Sequence, residues 1–241
     1  MEACVIIPTY QERNNIAQVV SLALASDPRI HVTVVDDNSP DGTVEAAQEA
    51  GASYPGRLEV HRRPAKFGLG SAYVYGFSRA LEAGFDLILE MDADLSHDPR
   101  DLPRLIAAAD EADLVLGSRY VPGGRVDNWP PSRRLLSRAG NFYARFILGL
   151  PIRDLTGGFK CYHRRVIEAI DVGSIHSTGY AFQVETTYRA LLKGFRVREI
   201  PIVFVERREG HSKMTRSIML EASLLVWKFR LLGPRLFRGA S

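Results

Sequence analysis

The segment DLILEMDADLSHDP, residues 86–99, joins a short apolar run, two aspartates and a helix start in immediate succession. Residues 86–91 predict a buried strand, because the run is short and rich in Leu and Ile. Asp98 suits an N-cap and the next residue is a proline, so we predict a helix over residues 99–110. The segment therefore predicts a strand–loop–helix unit with Asp92 and Asp94 in its loop.

The same unit recurs along the N-terminal half of the chain. Alternating strands and helices are typical of an α/β fold, in which helices cover both faces of a mostly parallel sheet. Ligands of such sheets bind beyond the carboxyl ends of the strands. The further predicted strands are 3–7, 31–35, 58–61 and 113–117, and the further predicted helices are 14–25, 43–51 and 70–83. Beyond them we predict a loop over 119–132, a helix over 133–148, a glycine turn at 156–158, a helix near 181–193, a strand over 197–205 and a C-terminal helix.

The composition is that of an ordinary globular protein. The chain has 241 residues, of which 46% are hydrophobic and 24% are charged. A net charge of +3 is too small to indicate a nucleic-acid partner, and none is predicted. Cys4 and Cys161 do not make a disulfide framework, so a reducing compartment is expected. The sequence has no apolar run long enough to span a membrane, and any membrane contact is predicted to be peripheral.

Four polar segments follow four of the predicted strands. They are PTYQERN at 8–14, DDNSPDGT at 36–43, DAD at 92–94 and SRY at 118–120. One polar loop is ordinary turn chemistry, but four at one edge of a parallel sheet predict a site for an elongated polar ligand.

Asp92 and Asp94 are the strongest candidates for chemistry. Two carboxylates at positions i and i+2, where a strand ends, can turn toward one hard cation. Mg²⁺ or Mn²⁺ prefers such oxygens and usually shares its shell with substrate phosphates. The alternative is a solvated acidic turn, and the position of the motif at the shared edge favours the metal site.

The other polar loops leave two interpretations open. Asp36 and Asp37 could bind a nucleoside base or ribose, or one of them could cap the helix that begins near Thr43. Tyr10 could stack on a base or pack in the core. A glycine-rich dinucleotide fingerprint is missing after the first strand, and the chain has no P-loop motif, which disfavours NAD enzymes and P-loop NTPases.

Taken together, the motifs resemble one known family. The chain is similar to the dolichol-phosphate (polyprenol-monophosphate) mannose synthases, which are inverting GT-A glycosyltransferases of family 2, from about residue 4 to residue 215. The resemblance implies a GT-A fold, with a mostly parallel, Rossmann-like sheet flanked by helices. The segments that carry it are VIIPTYQERNN, VVDDNSPDGT, KFGLGSAYVYGF, EMDADLSHDP, GSRY, LTGGF, FQVE and VERREGHSK.

The resemblance also implies an activity and a set of site residues. The implied reaction transfers mannose from GDP-mannose to a polyprenyl phosphate with inversion, assisted by Mg²⁺ or Mn²⁺. Relatives often have Gln where this chain has Ser96, so Ser96 is left out of the metal ligands. The implied guanosine contacts are Pro8, Tyr10, Glu12, Val35 and Asp37; the metal and diphosphate contacts are Asp92, Ala93 and Asp94; the phosphate-binding residues are Arg119, Arg207 and Lys213; and the lipid-phosphate contacts are Arg133 and Ser137.

Three alternatives remain open at this stage. The donor could be UDP-glucose or UDP-N-acetylglucosamine. The acceptor could be a hydroxyl group, which would need a general base, and Glu185 and Asp154 are the candidates. The chain could also be a non-catalytic scaffold that binds nucleotide sugars at a membrane surface.

Two helices predict contact with a membrane. We divide the chain into a GT-A domain over 1–215 and a basic amphipathic helix over 216–241 that belongs to the same unit. Arg and Lys beside Phe and Trp suit an anionic membrane interface, whereas the alternative is an apolar face packed on the core. We therefore expect a cytoplasmic protein on the cytoplasmic face of the membrane, with a possible membrane-anchoring partner protein. The helix over 133–148 has a polar stripe of Arg134, Arg138, Asn141 and Arg145 beside an apolar stripe of Leu135, Ala139, Phe142 and Phe146; the C-terminal helix has an apolar side of Ile218, Ala222, Leu225, Phe229 and Leu232 and basic residues Lys228, Arg230, Arg235 and Arg238.

Overall fold

A seven-stranded sheet forms the centre of the protein. The computed structural model describes residues 1–175, 177, 179–206 and 216–236, and in the last segment it describes the side chains of residues 223–233. The strands are β1 Ala3–Thr9, β2 Ile30–Asp36, β3 Leu58–Arg62, β4 Leu87–Glu90, β5 Leu114–Ser118, β6 Arg125–Asp127, β7 Lys160–His163, β8 Val197–Pro201 and β9 Val203–Val205. The helices are α1 Arg13–Ser26, α2 Thr43–Gly51, α3 Leu69–Glu82, α4 Leu102–Ala108, α5 Pro131–Leu148, α6 Arg164–Ala169, α7 Gly179–Leu192 and α8 Arg216–Leu236, with single 3₁₀ turns at Pro99–Asp101 and Val172–Ser174.

The sheet is parallel except for one strand. Its order is β3-β2-β1-β4-β7-β5-β8, and β7 runs antiparallel to both of its neighbours. The prediction of a mostly parallel α/β fold is therefore confirmed, whereas β7 was not predicted. Because the other six strands share one direction, the loops that follow β1, β2, β4 and β5 lie at one edge.

A second, two-stranded sheet extends this edge. Strand β6 lies inside the segment predicted as a loop, and it pairs in parallel with β9. The prediction of one strand over 197–205 is wrong, because the chain leaves the main sheet at Ile202. There the Ile202 amide donates to the carbonyl of Ser118 at 3.1 Å, and β9 continues beside β6.

Helices cover both faces of the sheet, and each face has its own apolar core. One core joins the sheet to α1, α2 and α4, and the other joins it to α3, α5, α6, α7 and α8. Helix α3 packs tightly on β1 at Gly76, where a Cβ atom would lie 2.5 Å from Cγ2 of Ile6. A glycine is therefore required at this contact.

Helices α5 and α8 pack against each other and present apolar side chains to solvent. On α5, Leu135, Phe142 and Phe146 are 70%, 68% and 73% exposed, so the predicted apolar stripe faces away from the core. On α8 the prediction is wrong for two residues, because Leu225 and Phe229 pack into the core. Among the described side chains of α8, the exposed large apolar residues are Leu224, Trp227, Leu231 and Leu232.

Ile218 and Ala222, the other residues of the predicted apolar side of α8, lie outside the described side chains. The same holds for Arg235 and Arg238 of its predicted basic end. Within the part of the chain that is described, no helix is both long enough and apolar enough to cross a bilayer.

Candidate active site

The loop after β4 places two carboxylates at the carboxyl edge of the sheet. Asp94 is buried, and its Oδ1 accepts hydrogen bonds from the backbone N–H and the hydroxyl of Ser96 at 3.0 and 2.5 Å. The side chain of Asp92 is 27% exposed. Its Oδ1 accepts a hydrogen bond from the hydroxyl of Tyr73 at 3.4 Å, and its Oδ2 lies 4.0 Å from Nδ1 of His97. Ser96 thus fixes the orientation of the Asp94 side chain.

The donor set at this loop fits a small divalent cation. Two carboxylates are the usual protein contribution to a Mg²⁺ site whose remaining ligands are water and substrate phosphates. Among the described residues there is no cluster of three or more His, Cys, Asp or Glu side chains placed to hold a metal ion.

The two aspartates that follow β2 build the neighbouring loops. Asp36 accepts hydrogen bonds from Thr9 and Ser39, which ties the loops after β1 and β2 together. Asp37 accepts from Nε of Arg63 at 2.6 Å and from the backbone N–H groups of residues 67 and 68 at 3.0 Å each. Asp37 therefore fixes the loop after β3 beside the predicted nucleoside site.

Neither of these aspartates caps α2, so that alternative is wrong. The residue before α2 is Gly42, whose backbone is left-handed at φ 85°. Asp41 accepts instead from the backbone N–H and the hydroxyl of Thr43, at 3.2 and 2.6 Å.

The other predicted nucleoside contacts lie along the same edge. Tyr10 is half-buried and belongs to neither core, and Nζ of Lys66 lies 3.6 Å from the centroid of its ring. Pro8 and Val35 are paired across β1 and β2; Pro8 is half-buried, whereas Val35 is fully buried and lies beneath the surface of this edge. Glu12 is the residue directly before α1, and its Oε2 accepts a hydrogen bond from the side chain of Asn15.

Arg119 lies at the carboxyl end of β5 in a buried ion pair. Its Nε and Nη2 donate to the carboxylate of Asp154 at 2.7 and 2.6 Å, and its backbone N–H donates there at 2.9 Å. Nη2 also donates to the hydroxyl of Thr156 at 2.9 Å. Burial alone would lower the pKa of Arg119, but the carboxylate of Asp154 raises it above its usual range. The guanidinium is therefore a fixed positive charge, and Nη1 is the donor group that these bonds do not use.

The predicted acceptor residues Arg133 and Ser137 lie on α5, at a cavity that Arg119 also lines. The cavity has a volume of about 330 Å³ and lies between α5, α7 and α8. Its charged side chains are those of Arg119 and Arg133, and its hydroxyl groups belong to Ser137, Tyr143, Thr156, Tyr180 and Ser223. The rest of the lining is mostly apolar and includes Leu136, Val184, Val226 and Phe229. The structure thus brings the three predicted residues to one cavity.

The two candidate general bases are both held in ion pairs. Asp154 is fully buried against Arg119. Glu185 is buried on α7, where it accepts from Nε of Arg189 at 2.9 Å and from the hydroxyl of Ser177. Both carboxylates are therefore engaged in holding the framework. The predicted phosphate-binding residues Arg207 and Lys213 lie outside the described residues.

A buried polar group beneath the Asp92 loop was not predicted. Lys160 on β7 lies opposite Glu90 on β4, and its Nζ donates to the carbonyl of Gln183 at 2.8 Å and to the hydroxyl of Thr186 at 3.0 Å. Burial lowers the pKa of Lys160 to about 8 and raises the pKa of Glu90. In the sequence, only Glu90, in the segment EMDAD, pointed to this buried pair, because strand β7 was not predicted.

Three further residues, which the sequence did not assign to the acceptor phosphate, lie near the polar groups of this cavity. Asn141 was predicted in the polar stripe of α5, but it is buried: its Oδ1 accepts hydrogen bonds from the backbone N–H groups of residues 155 and 156 and so holds the glycine turn against α5. The hydroxyl of Tyr120 donates to that of Ser137 at 2.7 Å. The ring of Trp129 lies 4.2 Å from the guanidinium carbon of Arg133. The predicted loop 119–132 supplies two of these groups, Tyr120 and Trp129.

Comparison with known proteins identifies the family. The family described as glycosyl transferase family 2 matches residues 4–171. The chain is 48% identical over 230 residues to the polyprenol monophosphomannose synthase of Mycolicibacterium smegmatis, which covers 95% of this chain and 87% of that relative. It is 46% identical over 231 residues to the undecaprenyl-phosphate mannosyltransferase of Micrococcus luteus, covering 96% and 95%.

A solved structure shares the fold at low sequence identity. Glucosyl-3-phosphoglycerate synthase from Mycobacterium tuberculosis, in complex with Mn²⁺, UDP-glucose and phosphoglyceric acid, matches with a TM-score of 0.66 and 17% identity, covering 97% of this chain and 79% of that one. The predicted GT-A architecture is thereby confirmed. The chain is a glycosyltransferase and belongs to glycosyl transferase family 2.

Proposed function

We propose that the protein transfers mannose from GDP-mannose to a polyprenyl phosphate, with inversion at the anomeric carbon. The observation that carries this proposal is the cavity between α5, α7 and α8, which is lined by two arginines, by hydroxyl groups and by a mostly apolar remainder. A prenyl phosphate has the same two parts. The two curated relatives, named for synthesis of a polyprenol phosphomannose and for mannosyl transfer to undecaprenyl phosphate, support the same acceptor class.

The acceptor phosphate is placed at the polar groups of this cavity. Arg133 and Ser137 bind it, and Nη1 of Arg119 is a further donor. Arginine suits this task because its planar guanidinium binds phosphate oxygens through paired hydrogen bonds. The first isoprene units then extend along the apolar lining, where burial of hydrocarbon is favourable.

The reaction needs no strong general base. One oxygen of the acceptor phosphate attacks the anomeric carbon while the bond from that carbon to the GDP oxygen breaks. A phosphate is already an anion at neutral pH, so the attacking oxygen carries its own electron pair. A reaction without a general base agrees with the ion pairs that hold Asp154 and Glu185. These ion pairs disfavour a hydroxyl acceptor, because such an acceptor would need one of the two carboxylates as its base.

The donor lies across the loops that follow β1, β2 and β4. Tyr10 contacts the guanine. The backbone around Pro8 and Val35 borders the nucleoside, together with the loop after β3 that Asp37 holds in place. Glu12 belongs to the same group of contacts. Ala93 is buried and contributes through its backbone. Arg207 and Lys213 are assigned to the phosphates by resemblance alone.

Asp92 and Asp94 are proposed to hold a divalent cation, Mg²⁺ or Mn²⁺, at the donor diphosphate. When bound, such an ion offsets the charge that develops on the departing diphosphate. The chain's own contribution is to fix two carboxylates at the end of β4, with Asp94 oriented by Ser96.

The membrane is the expected source of the acceptor. The apolar side chains that α5 and α8 present to solvent suit a peripheral position at the cytoplasmic face, reached directly or through a membrane-anchoring partner. In this arrangement residues 1–215 form the GT-A domain, and residues 216–241 complete its membrane side as part of the same unit.

Incubation with labelled GDP-mannose and polyprenyl phosphate, with and without a chelator, tests the proposal. We expect lipid-extractable label that the chelator abolishes, and little label from UDP-glucose or UDP-N-acetylglucosamine. The double variant Asp92→Asn, Asp94→Asn is expected to be inactive, whereas Asp98→Asn, a matched change at the start of the next helix, keeps its rate. Transfer to a hydroxyl acceptor, or unchanged transfer by the double variant, would refute the assignment.

A further inference from the structure

A second cavity lies beside the acceptor cavity and has a different chemistry. We name it the arginine bowl. It has a volume of about 520 Å³ and is lined by Arg138 and Arg145 of α5, by Arg153, and by the loop 120–124. Arg119 lines both cavities, and Tyr120, which lines the bowl, donates a hydrogen bond from its hydroxyl to Ser137 of the acceptor cavity at 2.7 Å.

The lining of the bowl carries positive charge without a matching carboxylate. Its lining residues include Arg119, whose charge is offset by Asp154, and no Asp or Glu. Among the ion pairs formed within the described residues, none involves Arg138, Arg145 or Arg153, and all three side chains are exposed. Arg145 is oriented by a 3.3 Å bond from Nε to the carbonyl of Leu150. The bowl is therefore complementary to an anion.

The rim of the bowl is apolar. Phe142 lines the bowl, is 68% exposed, and is stacked with Phe146 at a centroid distance of 6.2 Å. Phe146 is itself 73% exposed. A cationic pocket with exposed aromatic rings at its rim matches a phospholipid, whose anionic headgroup and acyl chains lie next to each other. A free phosphate ion would use the arginines only and would leave the rings in water.

We infer that the arginine bowl binds the headgroup of an anionic phospholipid, and that this contact sets the orientation of the acceptor cavity toward the bilayer. The inference rests on the membrane position in the proposed function. It differs from that function in its ligand, which is a bulk membrane phospholipid and not the prenyl acceptor. Arg138, Arg145 and Arg153 take no part in sugar transfer itself.

Vesicle binding without any prenyl phosphate tests the inference. Phosphatidylcholine vesicles with and without phosphatidylglycerol are compared by co-sedimentation for the wild type and for the triple variant Arg138→Gln, Arg145→Gln, Arg153→Gln. We expect the triple variant to lose affinity for the anionic vesicles on the order of 100-fold, as for three basic groups at an anionic surface. Its affinity for the neutral vesicles is expected to be unchanged.

A matched control separates the bowl from net charge. Arg29, Arg79 and Lys193 are exposed and lie near the opposite, amino-terminal edge of the sheet. Replacing these three by Gln removes the same charge, and we expect binding to change by less than about threefold, because charges farther than a Debye length of about 10 Å from the surface are screened. Equal loss in both triple variants would overturn the inference, as would full competition by free inorganic phosphate.

The activity assay keeps this inference distinct from the proposed function. In detergent, with a short-chain prenyl phosphate, the bowl variant is expected to transfer mannose at the wild-type rate. Loss of transfer in that assay would place the arginines in the acceptor site and refute the inference. If the wild type itself transfers no mannose, the proposed function fails while the vesicle result stands. Should the triple variant not fold, Arg153→Glu gives the same comparison.

Discussion

Replacing Asp154 by Asn removes the negative charge that faces Arg119 in the interior. Arg119 is 5% exposed and Asp154 is fully buried, and the carboxylate accepts three hydrogen bonds from this one arginine. The amide of Asn can still accept from the backbone N–H, so the local backbone is preserved. What the substitution leaves behind is a buried guanidinium with no charge to neutralise it.

The cost follows from this burial. Removing one member of a buried ion pair destabilises a protein by about 3–5 kcal/mol. For a chain of this length each kcal/mol lowers Tm by roughly 2–4 °C, so the Tm of Asp154→Asn should fall by about 10 °C. Arg119→Met strands the carboxylate instead and should cost a similar amount. The double variant strands neither charge, and its loss should be at least about 2 kcal/mol smaller than the sum of the two single losses.

Urea unfolding of the four proteins measures this coupling. The m-values should agree, so that differences in midpoint report differences in stability. The double variant is then assayed for transfer to prenyl phosphate, and we expect it to be folded and inactive because the guanidinium at the acceptor site is gone. Additivity within about 0.5 kcal/mol would refute the ion-pair reasoning. An active double variant would refute the role of Arg119 at the acceptor.

Three further predictions follow from single positions. Asp94→Asn should lower kcat on the order of 100-fold, as for the loss of one preorganised charge at a leaving group, measured as transfer rate against Mg²⁺ concentration. Burial lowers the pKa of Lys160 to about 8, below its value in the unfolded chain. The unfolded chain therefore binds the extra proton, and the free energy of unfolding increases as pH rises from about 8 to 10. In urea unfolding, Lys160→Met should remove on the order of 3 kcal/mol of this increase. Gly76→Ala should cost about 1–3 kcal/mol because its Cβ meets Ile6, whereas Gly140→Ala, where a Cβ meets nothing within 4 Å, should gain up to about 1 kcal/mol in the same thermal melts.

The parallel part of the fold was predictable because its signals are local. The strands β1, β2, β4 and β5 are short apolar runs, and each is followed by polar turn residues that mark where the strand ends. Strand β7, Lys160–His163, gives no such signal. It has a lysine, a tyrosine and a histidine among its four residues. The lysine is buried because Glu90 and Thr186 surround it, which is a tertiary fact.

The division of residues 197–205 between two sheets was also beyond the sequence. The run VREIPIVFV is uniformly strand-like, and its central proline at position 201 is compatible with an edge strand. The break is set by the Ile202 amide, which bonds to the end of β5, and by the partner that β9 finds in β6. Both partners are distant along the chain, so local patterns carry no trace of them.

For the site, the residue types were predictable, but the hydrogen bonds and ion pairs that these residues form with one another were not. Asp154 was a candidate general base from its chemistry alone, and only the fold shows that it forms an ion pair with Arg119. The apolar stripe of α5 was correctly read as outward-facing for Leu135, Phe142 and Phe146. The sequence of α8 has the same helical periodicity. Which face of α8 meets the core depends on how the helix packs across α5 and α7, and a periodic pattern does not determine this packing geometry.

The acidic residues of this edge differ in how far they are exposed, and this difference supports a distinction between residues that hold the loops together and residues that meet a ligand. Asp154 is enclosed by an arginine, Asp37 by an arginine and two backbone N–H groups, and Asp36 by two hydroxyls and an N–H. Asp92 is the member of this set with the most open side chain, at 27% exposure, and it stands next to the buried Asp94. A carboxylate at the solvent boundary can meet a hydrated cation that arrives from solution, whereas a fully buried carboxylate cannot. Among the acidic loops of this edge, the exposure of Asp92 therefore supports the proposal that the loop after β4 holds the cation.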